Sequence, residues 1–245
     1  MTSNGCPVQE VPTLTLEDTA RLMQVMVEDC YITHLQMMEN GGRCLAELSR
    51  RLLDNDVVDR PITLLSGRRG CGGIGLVAAR HLHNWGAWVQ VVTTHPAEQH
   101  SGLPAFHLAA LQSADVATTW ADDGWELPPA DLVVDALIGT GLIESPQGTT
   151  RELILLANSS HAPVLSVDMP TGMAPNTGEL TSPHISAGAT LSMGIPKRGL
   201  GREENQAVYG TLYVADIGIP ETAFEKAEVT MPNLFAHDTV VQITI

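Results

Sequence analysis

Apolar positions open the chain with two helical patterns. Leu16 to Cys30 reads as the first and Ile32 to Leu53 as the second. In the second, Leu35, Met38, Gly42, Leu45, Leu48 and Leu52 recur at three- and four-residue steps, which makes one apolar face. From residue 61 the texture changes to short apolar runs alternating with helical stretches. Strands are predicted at Ile62 to Leu65, Trp88 to Thr93, Val116 to Thr119, Leu132 to Leu137, Val164 to Val167, Ala189 to Met193 and Thr211 to Val214. Helices are predicted at Leu76 to Trp85, Ala105 to Ser113 and Thr150 to Asn158. Continuous apolar strands alternating with amphipathic helices imply β-α-β units, hence an α/β fold with a mostly parallel sheet covered on both faces. In such sheets ligands sit at the carboxyl ends of the strands, so the loops after Leu65, Leu137 and Val167 carry the interest.

No repeat and no linker rich in Pro, Gly or Ser divides the 245 residues, so one domain over 1–245 is expected, with a loose polar arm at about 1–12. A composition of 44% hydrophobic and 17% charged residues is that of a globular chain. Thirteen Lys and Arg against 28 Asp and Glu give a net charge of −15, which argues against nucleic acid and anionic membrane surfaces as partners. Cys6, Cys30, Cys44 and Cys71 form no C-x-x-C pair and are too sparse for a disulfide scaffold. With no signal peptide and no membrane-length apolar run, a cytoplasmic protein with reduced thiols is expected.

Three segments carry candidate chemistry. Gly70, Gly72 and Gly75 satisfy G-x-G-x-x-G between a predicted strand and a predicted helix. Glycines there let the backbone approach a phosphate, and the helix start offers free N–H groups. A tight turn that binds nothing is the structural alternative. An ordinary dehydrogenase would place an acid at the end of the second strand to hold the ribose, but that strand runs into Thr93-Thr94-His95-Pro96. Asp135 lies near the end of an apolar strand, and Asp168 follows Val164 to Val167. A carboxylate there must be paired, bound to a cation or at a site mouth, and it can move protons; turn-capping roles are the alternative. Lys197, Arg198 and Arg202, with Arg68 and Arg69, could form a local anion site in an otherwise acidic chain, or a solvated face. The histidines show no ligand pattern and read as surface or supporting residues.

Together these segments resemble the YjeF N-terminal domain family, the NAD(P)H-hydrate epimerases. Met38-Glu39-Asn40-Gly41-Gly42-Arg43 is similar to the family's M-E-N-A-G-R, and Gly72 to Leu82 to its G-G-D-G-L-V-A-A-R-H-L. Asp131 to Gly141 is similar to D-L-I-V-D-A-L-F-G-T-G, Val164 to Gly172 to V-x-S-V-D-I-P-S-G, and Thr190 to Gly199 to T-x-x-F-G-x-P-K-x-G. The likeness runs from about residue 14 to 218. It implies a three-layer α/β/α, Rossmann-like sandwich, a homodimer, and an isomerase acting on R and S hydrated NAD(P)H in cofactor repair. Asp168 would be the catalytic, substrate-contacting acid. Gly70, Cys71, Gly72, Gly73 and Ile74, with Gly139, Thr140 and Gly141, would bind the nucleotide-like substrate. Asp135 and Thr171, with the position of Cys71, would hold a potassium ion; no organic cofactor is implied. Relatives often fuse a kinase-like dehydratase, for which 245 residues leave no room, so a separate dehydratase is expected in the pathway. The chain departs from the family's G-N-N-G-G-D-G: Cys71 stands for an amide and Ile74 for the acid. Thiol sulfur is a poor ligand for a hard cation. The alternative is a catalytically degenerate member that binds a nucleotide-like ligand or a protein without turnover.

Overall fold

The computed structural model describes residues 9–122 and 124–245. Two helices come first, α1 (Leu16–Glu28) and α2 (His34–Leu52). A capping box starts α2: the Thr33 hydroxyl accepts from the Gln36 N–H, and the Gln36 side chain accepts from the Thr33 N–H. Such a cap contributes about 1 kcal/mol. The sheet then builds through β2 (Pro61–Ser66), α3 (Gly70–Asn84), β3 (Trp88–Thr93), α4 (Gly102–Ser113), β4 (Ala117–Trp120), β5 (Leu132–Ala136), α5 (Gly148–Ser159) and β6 (Val164–Val167). It continues with β7 (Ala189–Met193), a one-turn α6 (Gln206–Tyr209), β8 (Thr211–Ala215), α7 (Glu221–Lys226) and β9 (Val240–Thr244).

The strand order is β1-β9-β8-β7-β6-β5-β2-β3-β4, with β1 the pair Gln9–Glu10. All neighbours run parallel except β8 and β9. From β2 the chain winds outward to β3 and β4, then returns to β5 on the other side of β2. The crevice between the carboxyl ends of β2 and β5 is therefore the point where the winding reverses, the expected ligand position in an open α/β sheet.

Side chains along the strands alternate between two cores. Leu132, Val134 and Ala136 of β5 join Leu45 and Leu48 of α2 and Leu76 and Ala79 of α3. Val133 of the same strand joins Leu153, Ile154 and Ala157 of α5 on the opposite face. A third cluster, including Met169, Tyr209, Leu212 and Ile243, covers the far end of the sheet. This is the three-layer α/β/α sandwich that the apolar pattern predicts. No helix among the described residues is long and apolar enough to cross a membrane.

Two expectations change. The arm predicted to be loose is pinned in its last positions: β1 pairs with β9, and Val11 is buried and donates to the Thr244 carbonyl; residues 1–8 lie outside the described part. The glycine segment is helix, since α3 begins at Gly70 rather than near Leu76. A Cβ at Gly72 would collide with the Gly67 carbonyl oxygen, so glycine is what lets this first turn settle onto the loop behind β2. The histidines, read as surface or supporting residues, include buried ones of the second kind. His107 is 2% exposed and His100 is also buried.

His107 Nδ1 lies 3.7 Å from Glu39, which binds Arg80 at 2.7 Å and so joins α2, α3 and α4. Burial holds the His107 pKa below its ordinary 6.5, with Glu39 opposing. The unfolded chain therefore takes up this proton before the folded one, and stability present above pH 6.5 is lost as the pH falls. The thermal midpoint of the wild type should drop between about pH 7.5 and 5 more steeply than that of His107→Gln; parallel curves would remove His107 as the cause.

Candidate active site

Two strand-end acids define the site, and they are held differently. Asp135, 1% exposed, faces Ser166 across the β5–β6 ladder. Its carboxylate accepts from the Ser166 hydroxyl (2.8 Å), the Thr171 N–H (2.9 Å), the Thr171 hydroxyl (2.7 Å) and the Leu137 N–H (3.2 Å). Thr171 Oγ1 in turn accepts from the Ile138 N–H at 3.1 Å. Burial raises the Asp135 pKa, against the pull of these donors. The acid thus ties the loop after β5 to the loop after β6.

Asp168 sits one position past β6 in the left-handed region, with φ +65°. Asp tolerates this conformation better than most side chains, and such strain clusters at functional sites. Its Oδ1 accepts from the Lys197 ammonium at 2.6 Å, the Met193 N–H at 3.0 Å and the Ser192 hydroxyl at 3.4 Å. Oδ2 receives no hydrogen bond among the described residues, and the side chain is 12% exposed. One oxygen is anchored and the other is available to a ligand.

Lys197 therefore does not belong to the basic cluster in which the sequence groups it. Its side chain is 3% exposed, and Nζ also donates to the carbonyls of Ile195 (3.1 Å) and Met193 (3.3 Å). Arg202 is spent on Glu204 at 3.1 Å. Arg68 and Arg69 are exposed just before α3, whose N-cap Arg69 makes no side-chain capping bond. The unpaired N–H groups of that first turn and the two guanidinium groups favour an anion together.

Cys71 and Ile74, in the first two turns of α3, look in different directions. The Cys71 thiol donates to the Val167 carbonyl at 3.2 Å. Burial and the two nearby carboxylates push its pKa well above the ordinary range, so it is a neutral thiol. A Cβ at Gly139, which has φ +58°, would stand 2.5 Å from the Cys71 sulfur, so glycine is required where the β5 loop crosses α3. Ile74 faces a cavity instead, described below.

Potassium does not suit this donor set. The acceptor sites of Asp135 are filled by four hydrogen bonds. Thr171 Oγ1 both gives and accepts one, and the third position presents a neutral sulfur whose proton goes to the Val167 carbonyl. Among the described residues no group of three or more His, Cys, Asp or Glu could hold a metal ion.

Two cavities flank the loop after β2. The first, about 280 Å³, lies in the crevice between β2 and β5 and is lined by Gly67, Thr94, His95, Gly141, Gln147 and Thr150 among others. The second, about 440 Å³, lies on the α2–α3–α4 side and is walled largely by methionines and other apolar side chains. Arg68 and Arg69 line both. Gly70 and Ile74 line the second and Gly141 the first; Asp168 lines neither and reaches the second through Met193, whose N–H it binds.

Residues 34–199 match the family described as YjeF-related protein N-terminus. The chain belongs to that family. It is 34% identical over 206 residues to the NAD(P)H-hydrate epimerase of Truepera radiovictrix, covering 84% of this chain and 90% of that protein. The NAD(P)H-hydrate epimerase of Dehalogenimonas lykanthroporepellens is 31% identical, with 89% and 87% covered. The bifunctional NAD(P)H-hydrate repair enzyme Nnr of Moorella thermoacetica is 33% identical over 85% of this chain, which spans only 41% of that longer protein. Among solved structures the yeast protein YNL200c superposes with a TM-score of 0.81 at 23% identity, covering 95% of this chain and all of that one, which speaks to the fold.

Two outcomes are expected. Thr171→Val leaves the Ile138 N–H unpaired and takes a donor from a buried carboxylate, so stability in chemical denaturation should fall by about 2–3 kcal/mol; an unchanged midpoint would mean that the Asp135 network carries no such weight. Exchanging sodium for potassium chloride should leave the wild-type thermal midpoint unchanged, whereas Cys71→Asn, which restores an amide oxygen, should gain a potassium-specific rise. A potassium-specific rise in the wild type would show that the donor set rearranges around the ion.

Proposed function

We propose that the protein is an NAD(P)H-hydrate epimerase that interconverts the R and S hydrates of damaged NADH and NADPH. The observation that carries this reading is Asp168, with one oxygen bound to Lys197, Met193 and Ser192 and the other without a hydrogen bond among the described residues. The names of the family relatives that match this chain along most of their length support it.

Epimerisation needs one proton moved and moved back. The hydrated ring carries a hydroxyl on the carbon beside the ring nitrogen. Asp168 Oδ2 accepts the hydroxyl proton as that carbon–nitrogen bond opens, giving an aldehyde and leaving the electron pair on nitrogen within the conjugated ring fragment. Rotation turns the other face of the carbonyl towards the nitrogen. The bond closes again and Oδ2 returns its proton to the oxygen. No atom is gained or lost and no oxidant is required. Lys197 holds the carboxyl in place and balances its charge throughout, so the oxygen that shuttles the proton stays aimed. No step runs through a metal ion. A dehydratase specific for one epimer would complete the repair, and a homodimer is the assembly expected of the active form.

Asp168→Asn keeps the size of the side chain and loses the proton shuttle. It should reduce kcat for hydrated NADH by about 10²–10⁴-fold while changing KM little. Wild-type turnover by this variant would remove Asp168 from the chemistry, and an inactive wild type would favour a binding protein built on the same fold.

A further inference from the structure

The second cavity has no assigned role, and its walls are unlike those of the first. Met37, Met38, Ile74, Pro104, Met193 and Ile217 make it largely apolar, and at about 440 Å³ it is large enough for a ring with its ribose. The first cavity is more mixed, adding hydroxyl, amide, imidazole and carboxylate groups from Thr94, Thr150, Gln147, His95 and Glu144 to apolar side chains such as Leu137, Ile138 and Ile143.

We infer that the methionine-lined slot seats the hydrated nicotinamide ring, that Arg68 and Arg69 hold the pyrophosphate, and that the mixed cavity between β2 and β5 takes the adenosine half. This rests on the epimerase reading above. Three observations assign the ends. Met193 lines the slot and its N–H binds the anchored Oδ1 of Asp168, so the slot is the cavity that lies one residue from the acid. Arg68 and Arg69 are shared by both cavities, where a central anion would lie. The mixed cavity occupies the crevice where the winding of the sheet reverses, and a dinucleotide laid across such a crevice puts its halves on opposite sides. Methionine side chains adapt to a ring that changes shape as it opens and closes.

Gly41 is buried behind the slot wall. A Cβ there would lie 2.9 Å from the Met193 sulfur, with Ile217 at 3.6 Å and Ile74 at 3.8 Å. Leucine at this position would press these three wall residues towards the slot. Ile74, half-buried at the cavity wall, can be enlarged to tryptophan with less risk to the helix packing.

The test is calorimetric binding of reduced nicotinamide mononucleotide and of AMP to wild type, Ile74→Trp and Gly41→Leu, with thermal midpoints confirming folding. Both substitutions should raise the Kd of reduced nicotinamide mononucleotide by about tenfold or more and leave that of AMP unchanged. Loss of AMP binding instead would put adenine in the slot and overturn the assignment, as would unchanged Kd values for both ligands. If hydrated NADH is turned over and its KM is the same in Ile74→Trp, this inference fails while the epimerase reading stands. If the wild type never turns over hydrated NADH but reduced nicotinamide mononucleotide still depends on the slot, the reading fails and the ring site holds.

Discussion

A carboxylate almost without solvent contact must be hydrogen-bonded on every side, and Asp135 meets that demand in a way that shapes everything around it. Its four donors come from β6, from the loop after β6 and from the end of its own strand. The loop after β6 is therefore held where Thr171 can reach back to Ile138. That same loop begins with Asp168, which the chain enters in a left-handed turn. The satisfied acid fixes the geometry, and the half-satisfied acid next to it keeps one oxygen open to a ligand. Two similar residues at neighbouring strand ends thus acquire different roles from their partners alone: neutral donors at one, an ammonium and one open oxygen at the other.

Much of this was legible in the sequence. Seven strands and the main helices fall where the apolar pattern predicts them, because buried parallel strands are short, continuous and apolar. The strand-end rule also points to Asp135 and Asp168 directly. What was not legible depends on distant partners. β9 (Val240–Thr244) pairs antiparallel with β8 near the edge of the sheet, separated from the short α7 by a long irregular segment that hides it. The glycines of 70–75 read as a loop because glycine disfavours helix, yet close approach to the Gly67 carbonyl and to Ala136 outweighs that preference. Lys197 read as surface because a lone lysine normally is; its burial is decided by an aspartate 29 residues earlier in the chain. Which histidine supports what was likewise hidden, since the contact of His107 to Glu39 exists only once α2 and α4 are both in place.

The excess of negative charge bears on how a dinucleotide could be held. At −15 the chain as a whole repels a pyrophosphate. With Lys197 committed to Asp168 and Arg202 to Glu204, the cations facing both cavities are Arg68 and Arg69. They stand at the start of a 15-residue helix, so the guanidinium groups and the helix dipole act on the same place. Local concentration of positive charge, rather than overall charge, then governs affinity, and that attraction weakens with added salt.

Cys71 and Ile74 are the two residues that make the glycine loop look degenerate, and the structure separates their consequences. Cys71 turns inward to the Val167 carbonyl and packs under Gly139, where it replaces an oxygen donor by a neutral thiol. Ile74 turns to the opposite side and adds apolar surface to the slot. Among the described residues neither hydrogen-bonds to Lys197, Ser192 or the Met193 N–H, which together anchor Asp168. The side chains of the glycine loop can therefore differ while the anchors of Asp168 stay in place. Degeneracy of a motif and loss of chemistry are separate events when the motif and the reacting group are anchored by different strands, as β2 and β6–β7 are here.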